Sequence, residues 1–313
     1  MATAHDTAAL WADTACTLGE GPVWCARRHA LLWTDIESAT LWMRTPATGV
    51  TRTWRLPDRA GCLALCESGR VLLGLAKGLA FADLDRGGDG VLAVTPAAAV
   101  EADEPRTRIN DGRTDRAGNF VFGTMNEEHA STGARLGHIY QFSPRHGLRR
   151  LNIDPVAITN SLCFSPDGRT IYFADSLERR ILQADYDADA ARVAHVREFV
   201  RLHTPAGVPD GSVIDADGCL WNAVWGLGRL QRYAPDGAHL RDVVVAAVNT
   251  TCPAFGGADL TDLYVTSSRL EMDAEALARQ PHAGGVFHLA AGVRGLADAP
   301  FPDAHAAGAG LIG

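Results

Sequence analysis

Six times along the chain a turn signal leads into an aromatic or β-branched run, a few polar residues follow, and a second run resumes. The copies cover residues 29–43, 68–84, 115–140, 165–183, 215–231 and 262–288. Three of them open on related turns: Asp115-Arg116-Ala117-Gly118, Ser165-Pro166-Asp167-Gly168 and Asp215-Ala216-Asp217-Gly218. A spacing of roughly 40 to 50 residues is the size of a four-stranded propeller blade. Helical periodicity is nearly missing; residues 273–280, ended by Pro281, are the exception. The pattern predicts an all-β chain, a single six-bladed β-propeller over residues 1–313. Ring closure would leave few strand edges to protect. A pair of β-sandwiches is the rival, but the period is uninterrupted and no Pro-, Ser- or Gly-rich linker divides the chain. The tail from Gly295 is expected either to be a loosely held terminus or to complete the closing blade.

Composition narrows the function classes. The chain carries 29 basic and 37 acidic side chains, a formal charge of −8, which offers no cationic surface for nucleic acid. Apolar residues make up 47%, too many for disorder, yet no run is long enough to span a membrane. The first residues lack a basic, leader-like segment. Seven scattered cysteines, an odd number without a C-x-x-C pair, fit a reduced chain in which each is a small buried apolar residue. A cytoplasmic protein is therefore expected.

Four polar segments stand just ahead of blade strands. Glu20 lies between Gly19 and Gly21, where a surface turn is the plainer reading. Arg108 and Asn110 in Arg108-Ile109-Asn110-Asp111-Gly112 would share a face in extended backbone, although Asn-Asp-Gly reads equally well as a turn. Asn160 sits among apolar residues, and a buried amide needs partners. Asp210 belongs to Pro209-Asp210-Gly211, by itself an ordinary turn. Glu20, Asn160 and Asp210 share one phase, shortly before a blade's first strong strand. In a closed ring, equal phase means convergence at one end of the axis. Two carboxylates and an amide oxygen there form a hard oxygen site for one divalent cation in the central channel. Three protein ligands leave positions open for water and substrate.

At these residues the sequence resembles the senescence-marker-protein, gluconolactonase and regucalcin family. The matching segments are LGEGPVW, RINDGRTDRAGNFVFGTMNEE, ITNSLCFSPDGRTIYFADS, VPDGSVIDADGCLWNAVWG, FGGADLTDLYVTSSR and LARQPHAGGVFHL, spread over residues 18–287. Each is weak alone, and their order is specific. The resemblance implies one divalent metal held by Glu20, Asn160 and Asp210. It implies sugar-hydroxyl contacts from Arg108 and Asn110. It also implies a substrate-contacting acid at Glu127 or Glu128, with Glu128 favoured. Asp175 reads either as a partner behind the metal ligands or as a strand-end cap. Residues 129–136 are a candidate lid loop.

The function implied is hydrolysis of a sugar-derived lactone, a small-molecule substrate, to its aldonic acid. The metal would polarise the carbonyl, Asp210 would act as general base, and Glu128 would orient the sugar or assist proton transfer. No G-x-S-x-G elbow or Cys–His pair suggests a covalent nucleophile. The hard oxygen set accommodates Ca, Zn, Mn, Mg or Fe(II). The alternative is a calcium-binding regulatory propeller without turnover, which would have no use for Arg108, Asn110 and Glu128. A phosphotriesterase would want a more apolar mouth, which Trp225 and Leu227 could supply.

Overall fold

The computed structural model describes residues 6–86, 90–204 and 206–303. Six antiparallel four-stranded units follow one another around a central axis. Their innermost strands are Gly19–Cys25, Ala60–Leu65, Thr107–Thr114, Thr159–Phe164, Val208–Ile214 and Thr250–Gly256. We number the blades I to VI from these strands. Blade III, for example, runs outward through Phe120–Asn126, Ile139–Ser143 and Gly147–Arg150. The expected six-bladed β-propeller is what the chain forms.

Ring closure differs from the expectation for the tail. Ala9–Ala12, near the start of the chain, pairs with Val286–Ala290 and is the outermost strand of blade VI. The last blade is thus built from both ends of the sequence. Asp6–Thr7 adds a short parallel strand to blade V. The tail from Gly295 is not loosely held as far as Asp303. It tucks beneath the ring, with Phe301 fully buried; residues 304–313 lie outside the described residues.

The apolar core is a ring of wedges rather than a central mass. Among the described residues it divides into six clusters, one at each blade–blade interface. This explains why second strands such as Ala30–Asp35 are buried at every position. Both faces of the strand meet a neighbouring blade, so the sequence reads apolar without alternation. At the VI–I interface Trp33 stacks on Trp42, Trp24 stacks on Tyr264, and Trp11 meets both Trp33 and Tyr264 edge-on. All seven cysteines are buried and unpaired.

The turns after the innermost strands rest on aspartate. Asp115 accepts the N–H groups of Ala117 and Asn119, and Asp215 those of Asp217 and Cys219. Gly118, Gly168 and Gly218 sit at φ 83, 72 and 78°, which suits residues without a Cβ. These turns mark the far end of the axis. The innermost strands begin at the other end, which carries the site.

Among the described residues no helix is long and apolar enough to cross a membrane. Ala274–Arg279 forms the expected short helix, capped by the Asp273 carboxylate.

Phe301 fixes the tail by lying parallel to Phe142 at 5.5 Å and against Phe81 at 5.9 Å. Replacing it with alanine empties a closed aromatic slot between blades II and III. The expected loss is about 3–5 kcal/mol, seen as a lower melting temperature.

Candidate functional site

The innermost strands share a device that aims side chains into the channel. Each has a shift of register against its neighbour a few residues from its start, for instance between Glu20 and Val23 and between Asn160 and Cys163. A bulge turns the local backbone and re-aims the residue beside it. Gly21 and Ser161, each following a predicted metal ligand, have φ of 55 and 60°. For serine that backbone is strained, and it is held because the Ser161 hydroxyl donates to the Asp210 carbonyl at 2.6 Å.

Glu20, Asn110, Asn160 and Asp210 come together on the wall of one cavity of about 310 Å³ at the axis. They come from blades I, III, IV and V. Asn110, Asn160 and Asp210 stand at the same sequence distance before Gly118, Gly168 and Gly218, so the common phase extends to Asn110. Leu18, Met125, Ile158 and Trp225 are among the apolar residues of the wall.

Hydrogen bonds fix both amides. The Ser176 hydroxyl donates its one proton to the Pro209 carbonyl at 2.8 Å, so it must accept from the Asn160 Nδ2 at 2.9 Å. Asn160 is thereby left with its oxygen free for the cavity, met only by the Asn110 amide at 3.3 Å. Asn110 donates to the Thr159 carbonyl at 2.9 Å and accepts from Arg108 at 2.7 Å. Two asparagines are locked in one orientation without any ligand.

The carboxylates lack such partners. Glu20 accepts the N–H of Gly21 at 3.0 Å, and Asp210 that of Gly211. Burial, then the Asp111 carboxylate, push Glu20 up to about 8. Asp210 is driven well above the ordinary carboxylate range by burial, then by Glu20 and Asp111. Both favour a compensating positive charge, either a proton or a cation. Among the described residues no three His, Cys, Asp or Glu side chains group as a metal set. The donors here are two carboxylates and an oriented amide oxygen, and that hard-oxygen chemistry fits a divalent cation.

Several residues occupy places that sequence reasoning did not give them. The Arg108 guanidinium is buried; it bonds the Ile109 carbonyl at 3.0 Å and Asn110, and its Nε lies 3.6 Å from Glu127. It holds Asn110 rather than lining the cavity. Glu127, tied to Arg59 at 2.6 Å, is the acid beside Arg108. Glu128 is exposed, precedes the short helix His129–Thr132 and is absent from the cavity wall. His129 does line the cavity, with its Nδ1 on the Asn126 carbonyl at 2.8 Å. Residues 129–136 include that helix, and Arg135 pairs with Glu178 of blade IV. Asp175 accepts the N–H groups of Ala157 and Leu177, so it shapes the approach to Asn160 and caps the following turn.

Two further residues had no distinct signal. Ser176 follows a strand end like many serines. Asp111 was hidden in a turn-like tripeptide, yet it is a channel carboxylate, accepting from the Leu162 N–H at 2.9 Å.

Comparison with known proteins places the chain in a family. Residues 18–269 match the model of the SMP-30/Gluconolactonase/LRE-like region. The chain belongs to that family. It is 48% identical to the L-arabinolactonase of Azospirillum brasilense, over 94% of this chain and 95% of that one. It is 35% identical to the 6-deoxy-6-sulfogluconolactonase of Pseudomonas putida, over 91% and 94%. Among solved structures, a calcium-binding protein, regucalcin, from Agrobacterium tumefaciens superposes with a TM-score of 0.86. That match has 33% identity and covers 96% of this chain and 99% of that one.

Proposed function

We propose that this family member hydrolyses a sugar-derived lactone, a pentono- or hexonolactone, to the aldonic acid, using one divalent cation. The observation that carries this reading is the convergence of Glu20, Asp210 and the free Asn160 oxygen on one cavity. The names of the two lactonase relatives support the substrate class. Glu20, Asn160 and Asp210 would hold the cation, which could be Ca, Zn, Mn, Mg or Fe(II). When bound it supplies Lewis-acid stabilisation of the charge developing on the carbonyl oxygen.

The chain's own residues do the rest. Asp210, buried at the cavity wall, would serve as the general base toward a water molecule. Asn110, locked by Arg108 and Thr159, presents its amide edge to a ring hydroxyl. The apolar side formed by Met125, Ile158 and Trp225 suits the carbon face of the sugar and limits bulk water.

The test is to strip the protein with a chelator and follow acid release from a panel of pentono- and hexonolactones while single metals are restored. Metal-dependent hydrolysis above the spontaneous rate is expected for one or two members. Metal binding without turnover on any of them would favour a calcium-binding regulator instead. Arg108→Ala should raise KM by about tenfold or more, a larger change than in metal affinity, because the guanidinium holds Asn110 directly and reaches Glu20 and Asp210 only through its charge. Initial-rate kinetics and calorimetry separate the two effects.

A further inference from the structure

Beneath the cavity the channel contains a second charged group that the chemistry above does not use. Arg113, on the innermost strand of blade III, lies two residues beyond Asp111. Its Nη1 bonds both carboxylate oxygens of Asp298, at 3.2 and 3.3 Å, and its Nη2 reaches the Ser212 carbonyl at 3.3 Å. Its Nε is buried without a partner. The two side chains are 12% and 20% exposed, so this ion pair is largely withdrawn from water.

Asp298 does not belong to any blade. It is carried by the tail, which crosses the far mouth of the ring. Gly295 donates to the Leu260 carbonyl in blade VI, and Ala216 in blade V donates to the Arg294 carbonyl. Arg116 of blade III bonds the Ala297 carbonyl at 3.4 Å. Phe301 then exchanges backbone bonds with Leu65 and Glu67 of blade II. Asp303, buried, takes the Ser68 N–H at 3.0 Å and Arg70 at 2.7 Å. The strap is anchored on both sides, and its Asp298 meets Arg113 beneath the cavity.

An arginine in that position is a competitor. Asp111, two residues back on the same strand, already feels its charge, and Asp111 in turn repels Glu20 and Asp210. Freed from the strap, its guanidinium can rise to Asp111 and act as a built-in counter-cation for the carboxylates above. We propose that Asp298 is a positioning residue for the cation site: it holds Arg113 at the far mouth, leaving the carboxylates of Glu20 and Asp210 to an external divalent cation. This rests on the divalent-cation reading above.

Calorimetric titration of the full chain with Ca²⁺ or Mn²⁺ alone, without substrate, tests it. The neutral, isosteric Asp298→Asn should weaken binding on the order of threefold to tenfold, the scale of one charge acting across a partly screened channel. Arg113→Met should bind at least as tightly as the native chain, and Arg113→Met in the Asp298→Asn background should restore the affinity. That rescue is what a merely structural strap would not give. Unchanged affinity in Asp298→Asn would overturn the proposal, as would a loss that removing Arg113 leaves in place. If Asp298→Asn does not fold, the comparison of Arg113→Met with the native chain decides, and weaker binding in Arg113→Met overturns it. No binding of either ion to the native chain would instead sink the divalent-cation reading itself, and this one with it.

Discussion

Asp210→Ala is expected to abolish lactone turnover and divalent-cation binding together. Asp210 is 6% exposed and its carboxylate is met by little besides the Gly211 N–H. Its fold-level anchors are all on its backbone: the carbonyl takes the Ser161 hydroxyl at 2.6 Å and the Asn222 amide at 3.1 Å. Removing the side chain therefore leaves the strand in place and takes away both the proposed cation ligand and the proposed general base. General-base loss alone costs about 10²–10⁴ in rate, and the loss of charge stabilisation at the carbonyl adds to it. Turnover should fall by about a thousandfold or more, with a melting temperature for the cation-free protein equal to or above that of the native chain. The stability gain follows because the substitution removes a buried carboxylate that neighbouring carboxylates repel. Near-normal turnover in Asp210→Ala would refute the mechanism. A sharply lowered melting temperature would show instead that Asp210 is a folding residue.

Sequence periodicity carried the fold because a propeller blade is a local object. Each strand pairs with the next along the chain, so turns and runs such as 165–183 display the architecture directly. The closing blade was the exception. Ala9–Ala12 reads as one more short strand, and nothing local says that its partner is Val286–Ala290, at the other end of the chain. The first part of the tail was also hidden. Nothing in residues 295–303 announces that Phe301 and Asp303 each find a prepared place in blade II that only the assembled ring creates.

The site was legible to the extent that it is periodic. Equal phase picked Glu20, Asn160 and Asp210, and the structure puts them on one cavity with Asn110. Residues that act through orientation were not visible in this way. Ser176 matters because its single proton is committed to Pro209, which settles the face that Asn160 shows. Glu127 and Glu128 are adjacent in sequence, and only the direction in which the strand Phe120–Asn126 ends decides that Glu127 meets Arg59 and Arg108. Asp111 resembled a turn residue because the bulge that turns it into the channel is a feature of pairing rather than of composition.

The stabilisation conferred by a divalent cation should grow steeply as pH rises from about 5 to about 8. Glu20 has an ordinary value of 4.5 and in the folded, cation-free protein is pushed up to about 8 by burial and Asp111. Asp210 is raised as well. Between those values the folded protein holds protons that the unfolded chain has already released. Stability contributed by the protonated groups is therefore complete below pH 4.5 and drains away as pH climbs through 8. A cation takes the place of those protons, so it competes with them at low pH and meets no competition at high pH. Melting curves with chelator should move down by several degrees across this range, while curves with excess Ca²⁺ or Mn²⁺ should stay nearly level. Glu20→Gln, which cannot ionise, should flatten the chelator series and shrink the cation's effect at pH 8. Parallel chelator and cation series would mean that the carboxylates are not what the cation binds.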